Sequence, residues 1–155
     1  MPLLNYTTEV PATRSIAEIT RMLQEGGATA ILLENNADCS ISAVSFRMKT
    51  TFGETAFSLP ANVAAVTLAL NEQIRAEGKR GHGYRRRIPT SLFNNKEQSE
   101  RIAWRIVKDW LEAQLAIHQV GAAKLEQVML PFAIDESGKT FYARLVERGG
   151  PLLLK

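Results

Sequence analysis

The chain has 155 residues, 45% of them hydrophobic and 23% charged, and a formal net charge of +3. That length suits a single domain over 1–155, and the composition excludes disordered, collagenous and disulfide-scaffold classes. The lone cysteine, Cys39, can form no internal disulfide and no zinc cluster, the N-terminus carries no leader pattern, and no stretch approaches the ~20 apolar residues of a membrane span, so the expected setting is the cytoplasm, with no membrane partner.

Ser15-Ile16-Ala17-Glu18 has the Ser-x-x-Glu form of a capping box, which predicts a helix starting at Ser15, apolar along Ile16, Ile19 and Leu23, and stopped by Gly26-Gly27. Residues 28–34 form an apolar run too short for another helix and read as a buried strand. Asn35-Asn36-Ala37-Asp38 then turns the chain. Val44, Phe46 and Met48 alternate with Ser45, Arg47 and Lys49, Phe52-Gly53 sits in a turn, and Thr55, Phe57 and Leu59 resume the alternation. This period of two predicts a β-hairpin over residues 40–59 with Arg47 and Lys49 on its solvent face.

After Pro60, the spacing of Val63, Val66, Leu70 and Ile74 predicts a second helix that stops at Gly78. A basic Gly-rich loop over 78–91 follows, with no apolar face to pin it. Asn94 or Asn95 caps a long helix from near Lys96, whose buried face is Ile102, Ala103, Ile106, Val107, Trp110, Leu111, Ala113 and Ile117. Glu97 with Arg101 and Lys108 with Glu112 are spaced as ion pairs on its polar side. Gly121 kinks this helix, which runs toward Met129 and stops before Pro131. Asp135-Glu136-Ser137-Gly138 is a turn, after which Thr140 either caps a short helix carrying Phe141, Leu145 and Val146 or opens a strand. The expected class is α+β: a small sheet containing an antiparallel hairpin, packed by helices that include a long one in the C-terminal half.

Charge distribution carries the functional expectation. Five of the 19 Lys and Arg residues, namely Lys79, Arg80, Arg85, Arg86 and Arg87, fall within residues 79–87, which contain no acid; the other 14 face 16 acids. Guanidinium groups donate bidentate hydrogen bonds to phosphate, glycine lets backbone amides approach it, and an aromatic ring among them stacks on a base. Lys79, Arg80, Arg85, Arg86 and Arg87 are therefore expected to neutralise phosphates and Tyr84 to stack, with Arg47 and Lys49 extending the surface. Single-stranded DNA with little sequence preference is the favoured partner, and one such loop offers so few contacts that a homo-oligomer is part of the expectation. The plain alternative is a solvated surface loop.

No Gly-x-Ser-x-Gly, Cys–His pairing or tight acidic cluster is present, and residues 78–83 match neither a P-loop nor a dinucleotide fingerprint. No catalytic residue, metal ligand, cofactor or small-molecule substrate is expected. On the long helix Trp104 lies about 240° from Trp110, at roughly 100° per residue. Trp110 is expected in the core, whereas Trp104 widens the apolar arc and either marks a surface for self-association or for another protein, or packs under the basic loop or the C-terminal segment. The rival function is accordingly a protein–protein interaction factor that uses the exposed side of this helix. His118 reads as a packed residue at the edge of the apolar face.

Two stretches, Ile41-Ser-Ala-Val-Ser-Phe-Arg-Met continuing through Gly53 to Leu59-Pro60, and Glu100-Arg-Ile-Ala-Trp-Arg-Ile-Val-Lys-Asp-Trp-Leu-Glu-Ala-Gln, resemble small proteins of bacteriophages, prophages and mobile elements. The similarity extends to Val128-Met-Leu-Pro-Phe and leaves the basic loop least matched. It implies a phage-like setting and transfers no activity or site residue.

Overall fold

The computed structural model describes residues 2–79 and 88–150. Its elements run α1 (Ala12–Glu25), β1 (Ala28–Asn35), β2 (Ile41–Thr50), β3 (Gly53–Pro60), α2 (Val63–Lys79), α3 (Lys96–Gln119), α4 (Leu125–Met129), β4 (Ala133–Ile134) and α5 (Phe141–Glu147). Among the described residues the strands make one antiparallel sheet in the order β1-β2-β3-β4, and the fold is α+β with a long α3, as its patterning requires.

The chain divides into two units, one drawn from Met1–Glu18 and Ala61–Trp110, the other from Ile19–Pro60 and Leu111–Lys155. The division falls inside α1 and inside α3. In the first unit Leu70, Ile74, Ile88 and Ile102 form a buried cluster, with Leu3, Tyr6, Val66, Leu92, Phe93 and Ile106 packed against it. The buried amides Asn71 and Gln98 of this unit are hydrogen-bonded, as burial demands. Asn71 and Asn94 bond reciprocally: the Asn71 side-chain amide donates to Asn94 Oδ1 at 2.6 Å, and the Asn94 backbone N–H donates to Asn71 Oδ1 at 2.9 Å. Asn94 takes φ 53°, a left-handed conformation that asparagine tolerates better than most residues. The next residue, Asn95, caps α3 by accepting the Gln98 N–H at 2.9 Å. Gln98, itself buried, donates to the carbonyls of Tyr6 and Thr8 at 3.1 and 3.0 Å and so ties down the N-terminal segment.

The second unit is built on the sheet. Register places Leu33, Val44 and Leu59 in one row and Ile31, Phe46 and Phe57 in the next, all on one face. Val44, Phe46, Phe57 and Leu59 are almost fully buried, as are Ile19, Leu23, Leu111 and Met129 of the same unit. The Phe46 and Phe57 rings stack at 5.3 Å and 22°, a contact that adds about 0.5–1.5 kcal/mol to their area burial. The hairpin turns through Thr51 and Phe52, with Gly53 at φ 100°, and the Phe52 ring stands out from it, 82% exposed. Beyond β4, Asp135 folds the turn that the sequence marks: its Oδ1 accepts the N–H groups of Ser137 and Lys139 at 2.9 and 3.1 Å. Thr140 Oγ1 then caps α5 by accepting the Ala143 N–H at 3.1 Å, which resolves residues 141–147 as helix.

Several expectations are corrected. Helix α1 begins at Ala12, where the Pro11 carbonyl accepts from Arg14 and Ser15, so Ser15 lies in the first turn rather than at the cap. Its hydroxyl is fully buried and has no hydrogen-bond partner among the described residues. Strand β1 is not buried but an edge, with Leu32 62% and Leu33 42% exposed. Trp104 is 1% exposed, which selects the packed alternative over the surface one, and Trp110, expected in the core, is only partly buried. Ile102, Ala103 and Trp104 are consecutive and all buried, so this stretch of α3 is covered on more than one side, as a helix with apolar residues around its girth must be. Trp104 therefore cannot belong to an exposed interaction surface. The helix ends at Gln119, Gly121 adopts φ 73°, and α4 starts afresh at Leu125; the last turns of α3 are solvent-facing, so His118 and Ala113 are exposed and not packed.

Trp104→Ala should cost about 3–5 kcal/mol because it empties a fully buried volume, whereas Phe52→Ala at the hairpin tip should change stability by no more than about 0.5 kcal/mol. Urea denaturation of both variants, followed by far-ultraviolet circular dichroism, measures the contrast.

Candidate nucleic-acid interface

Strand alternation fixes the first part of the site. Because Phe46 and Met48 point into the core, Arg47 and Lys49 must point out of the opposite face, and both are exposed. Across β3, Arg47 lies opposite Ala56 and Lys49 opposite Glu54. The Glu54 carboxylate is engaged by Thr29 Oγ1 at 2.8 Å. Neither Arg47 nor Lys49 makes an ion pair among the described residues. Most other described cations do: Arg14 and Arg105 with Glu18, Arg21 with Glu25, Lys96 with Glu100, Arg101 with Glu97, Lys108 with Asp109, Lys139 with Glu147, and Arg144 with Asp135. The protein's own acids thus consume cations on the helices and leave these two strand positions unopposed.

Lys49 also lines a half-open cleft of about 350 Å³ at the hairpin end of the sheet. Its other walls include Thr50 and Thr51, His118 from the last turn of α3, and Lys124 and Glu126 around the start of α4. Glu126 closes one side as a clasp, its carboxylate accepting the Thr51 backbone N–H at 2.8 Å and also the Thr51 hydroxyl. These hydrogen bonds, the hydroxyl's foremost and the nearby Lys124 charge least, hold the Glu126 carboxyl below its ordinary 4.5. His118 Nδ1 is 3.3 Å from the Ala123 carbonyl oxygen. The cleft thus carries two lysine ammonium groups, Lys49 and Lys124, together with the ionised Glu126 carboxylate that Thr51 holds.

The basic loop is anchored at its returning end. Ile88 is buried in the Leu70–Ile74–Ile102 cluster, and its N–H donates to Glu77 Oε2 near the end of α2 at 2.8 Å. Two residues earlier on α2 the Arg75 guanidinium lies 5.2 Å from the centre of the Phe93 ring. Lys79 is the last residue of α2, one past the expected stop at Gly78. Arg80, Tyr84, Arg85, Arg86 and Arg87 lie outside the described residues.

Of the residues singled out from sequence, Arg47 and Lys49 thus share one exposed strand face, and Lys79 belongs to the other unit. Sequence reasoning missed Lys124, Glu126 and the cleft they line, because the expected helix ran unbroken through these positions. The one signal for them was Gly121, whose left-handed conformation ends the helix and frees the following segment to turn. Sequence reasoning also treated Ile88 as part of an unpinned loop.

No protein-family model, curated protein or solved structure matches the chain. Among the described residues no helix is long and apolar enough to cross a membrane.

Thr51→Val removes the strongest of the bonds that hold Glu126 low, so its carboxyl should titrate closer to 4.5 in the variant, as read by NMR of the side-chain carboxyl carbon. Since the folded value lies below the unfolded one, the clasp stabilises the fold above the ordinary Glu range and fades as pH falls through the folded value. The stability difference between wild type and variant should therefore be greatest near neutrality and shrink in acid.

Proposed function

We propose that this chain is a non-catalytic nucleic-acid-binding protein, favouring single-stranded DNA with little sequence preference, at work in the cytoplasm of a cell hosting a phage or mobile element. Lys79, Arg80, Arg85, Arg86 and Arg87 neutralise phosphates, Tyr84 stacks on a base, and Arg47 and Lys49 supply further cationic contacts. The observation that supports this reading is charge segregation: five cations without an acid in residues 79–87, on a chain whose helical cations are largely paired with its own carboxylates. Unpaired cations keep their attraction for a polyanion, and binding releases that polyanion's condensed counterions. The exposed Phe52 ring at the hairpin tip, next to the Lys49 cleft, is a second aromatic available for stacking. The anchoring of Ile88 to Glu77 supports the reading from the side of the scaffold, since it fixes where the chain re-enters the fold after the cationic residues. Several copies acting on one strand raise the avidity that a single loop lacks.

Fluorescence anisotropy with labelled single-stranded and duplex oligonucleotides at two salt concentrations tests this. Wild type should bind the single strand more tightly and lose affinity steeply with salt. Changing Arg85, Arg86 and Arg87 together to Ala should lower the log–log salt slope by about 2, since each neutralised phosphate contributes about 0.7 on a single strand. Lys49→Ala should weaken binding by a smaller factor, and binding that is insensitive to both salt and the triple substitution would falsify the reading.

A further inference from the structure

Among the described residues, the middle of the outer edge of β1 lacks the devices that normally keep a sheet from growing, which are confined to its ends. The strand is eight residues long and has no proline and no lysine, its irregularities fall only at its two ends, and its middle is Ala30-Ile31-Leu32-Leu33. Natural edges are usually blunted by such features, because free N–H and C=O groups otherwise template another strand. Beside this edge runs a groove of about 360 Å³, floored by Ala28, Ile31 and Leu33 and walled by Thr20 and Gln24 of α1.

We infer that β1 pairs antiparallel with β1 of a second copy of this chain, joining two sheets into one continuous sheet about a two-fold axis at Leu32. The strand is complementary to itself in this register. Residues directly opposite each other share a face in an antiparallel pair, so Leu32 meets Leu32 on the outer face, and Ile31 meets Leu33 of the second copy twice on the core face. The groove is thus filled by Ile31 and Leu33 of the second copy, two of the residues that floor it. A two-fold interface requires such self-matching of one patch.

Charge selects the register. Glu34, the one charged residue of β1, falls opposite Ala30 of the second copy, and within each sheet Ala30 lies opposite Arg47. Glu34, Ala30 and Arg47 therefore form a row on the outer face. Strands lie about 4.8 Å apart, so Glu34 of one copy and Arg47 of the other stand about 10 Å apart across a methyl group, within the combined reach of their side chains. Among the described residues Arg47 has no ion pair, and the Glu34 carboxylate is engaged through one oxygen, by the Ser45 hydroxyl. Symmetry makes the pair twice. In the adjacent register, with the axis at Ile31, Glu34 faces Ala28 and Arg47 goes without its partner. The dimer needs no polyanion, and it directs Arg47 toward the seam while Lys49 stays on the open surface.

Sedimentation-velocity centrifugation of the full chain, freed of nucleic acid by nuclease and high salt, tests the inference separately from the binding reading. Wild type should be a dimer that dissociates on dilution. Leu32→Lys, at a position already exposed, should be monomeric with unchanged circular dichroism. Glu34→Arg and Arg47→Glu should each raise the dissociation constant by roughly tenfold or more, and the double swap should restore it, because it re-forms the pair in reverse. A wild type that stays monomeric at several hundred micromolar overturns the inference, including the case where an extended peptide binds the edge instead. So does a dimer that all three single variants leave intact.

Discussion

The period of two in β2 is the constraint on which the sheet-borne features depend. Its even positions Val44, Phe46 and Met48 are committed to the core, and their burial leaves no freedom in where the odd positions go. A slip of one residue would drive Arg47 and Lys49 into an apolar interior and expose a stacked phenylalanine pair, at a cost of several times the ~1.5–3 kcal/mol that burying one large side chain contributes. Register is therefore strongly specified. It sets Arg47 and Lys49 on the outer face, brings Lys49 to the lip of the hairpin cleft, and places Ala30 opposite Arg47.

Polar contacts of a different kind organise the unit formed by the N-terminal segment, α2 and the first part of α3. Here the apolar cluster around Leu70 and Ile102 provides the driving force but little geometric precision, since hydrophobic attraction has no direction. Direction comes from Asn71 and Asn94, which hold the chain in a left-handed step before α3, and from Gln98, which gathers the carbonyls of Tyr6 and Thr8. Glu77 does the same for the chain leaving the basic loop. Each is a side-chain amide or carboxylate bonding backbone groups that burial would otherwise leave unsatisfied, a loss of about 1–3 kcal/mol per group. Their common effect is to fix the direction of the chain around the apolar cluster, including at Ile88.

The electrostatic logic of the molecule follows from this division of labour. On helices, acids placed three or four residues from bases pair with them locally, as Arg14 with Glu18 and Arg101 with Glu97 do, and such pairs leave little field for a distant ligand. Strand positions have no such local neighbour, because the adjacent residue on the same face is two away and the cross-strand partner decides. Arg47 faces Ala56, and Lys49 faces a glutamate already bonded to Thr29. Among the described residues, these two strand cations are in this way left without an ion pair.

Sequence alone determined whatever depends on neighbours within a few residues. The hairpin with its outward Arg47 and Lys49, the Gly26-Gly27 stop, the Asn95 cap, the Asp135 turn and the Thr140 cap all rest on local periodicity or on one side chain bonding backbone close by. Tertiary structure decided what depends on the other side of a surface. Residues 28–34 are apolar whether they sit in the middle of a sheet or at its rim, and only the strand order makes β1 an edge. The arcs of Trp104 and Trp110 are equally apolar on a wheel, and only packing chose to bury Trp104. Pro11 outcompeted Ser15 for the start of α1, and the break at Gly121 turned Lys124 and Glu126 toward the hairpin. A one-dimensional pattern states which side chains must leave water, but what they leave it for is set by residues distant in the chain.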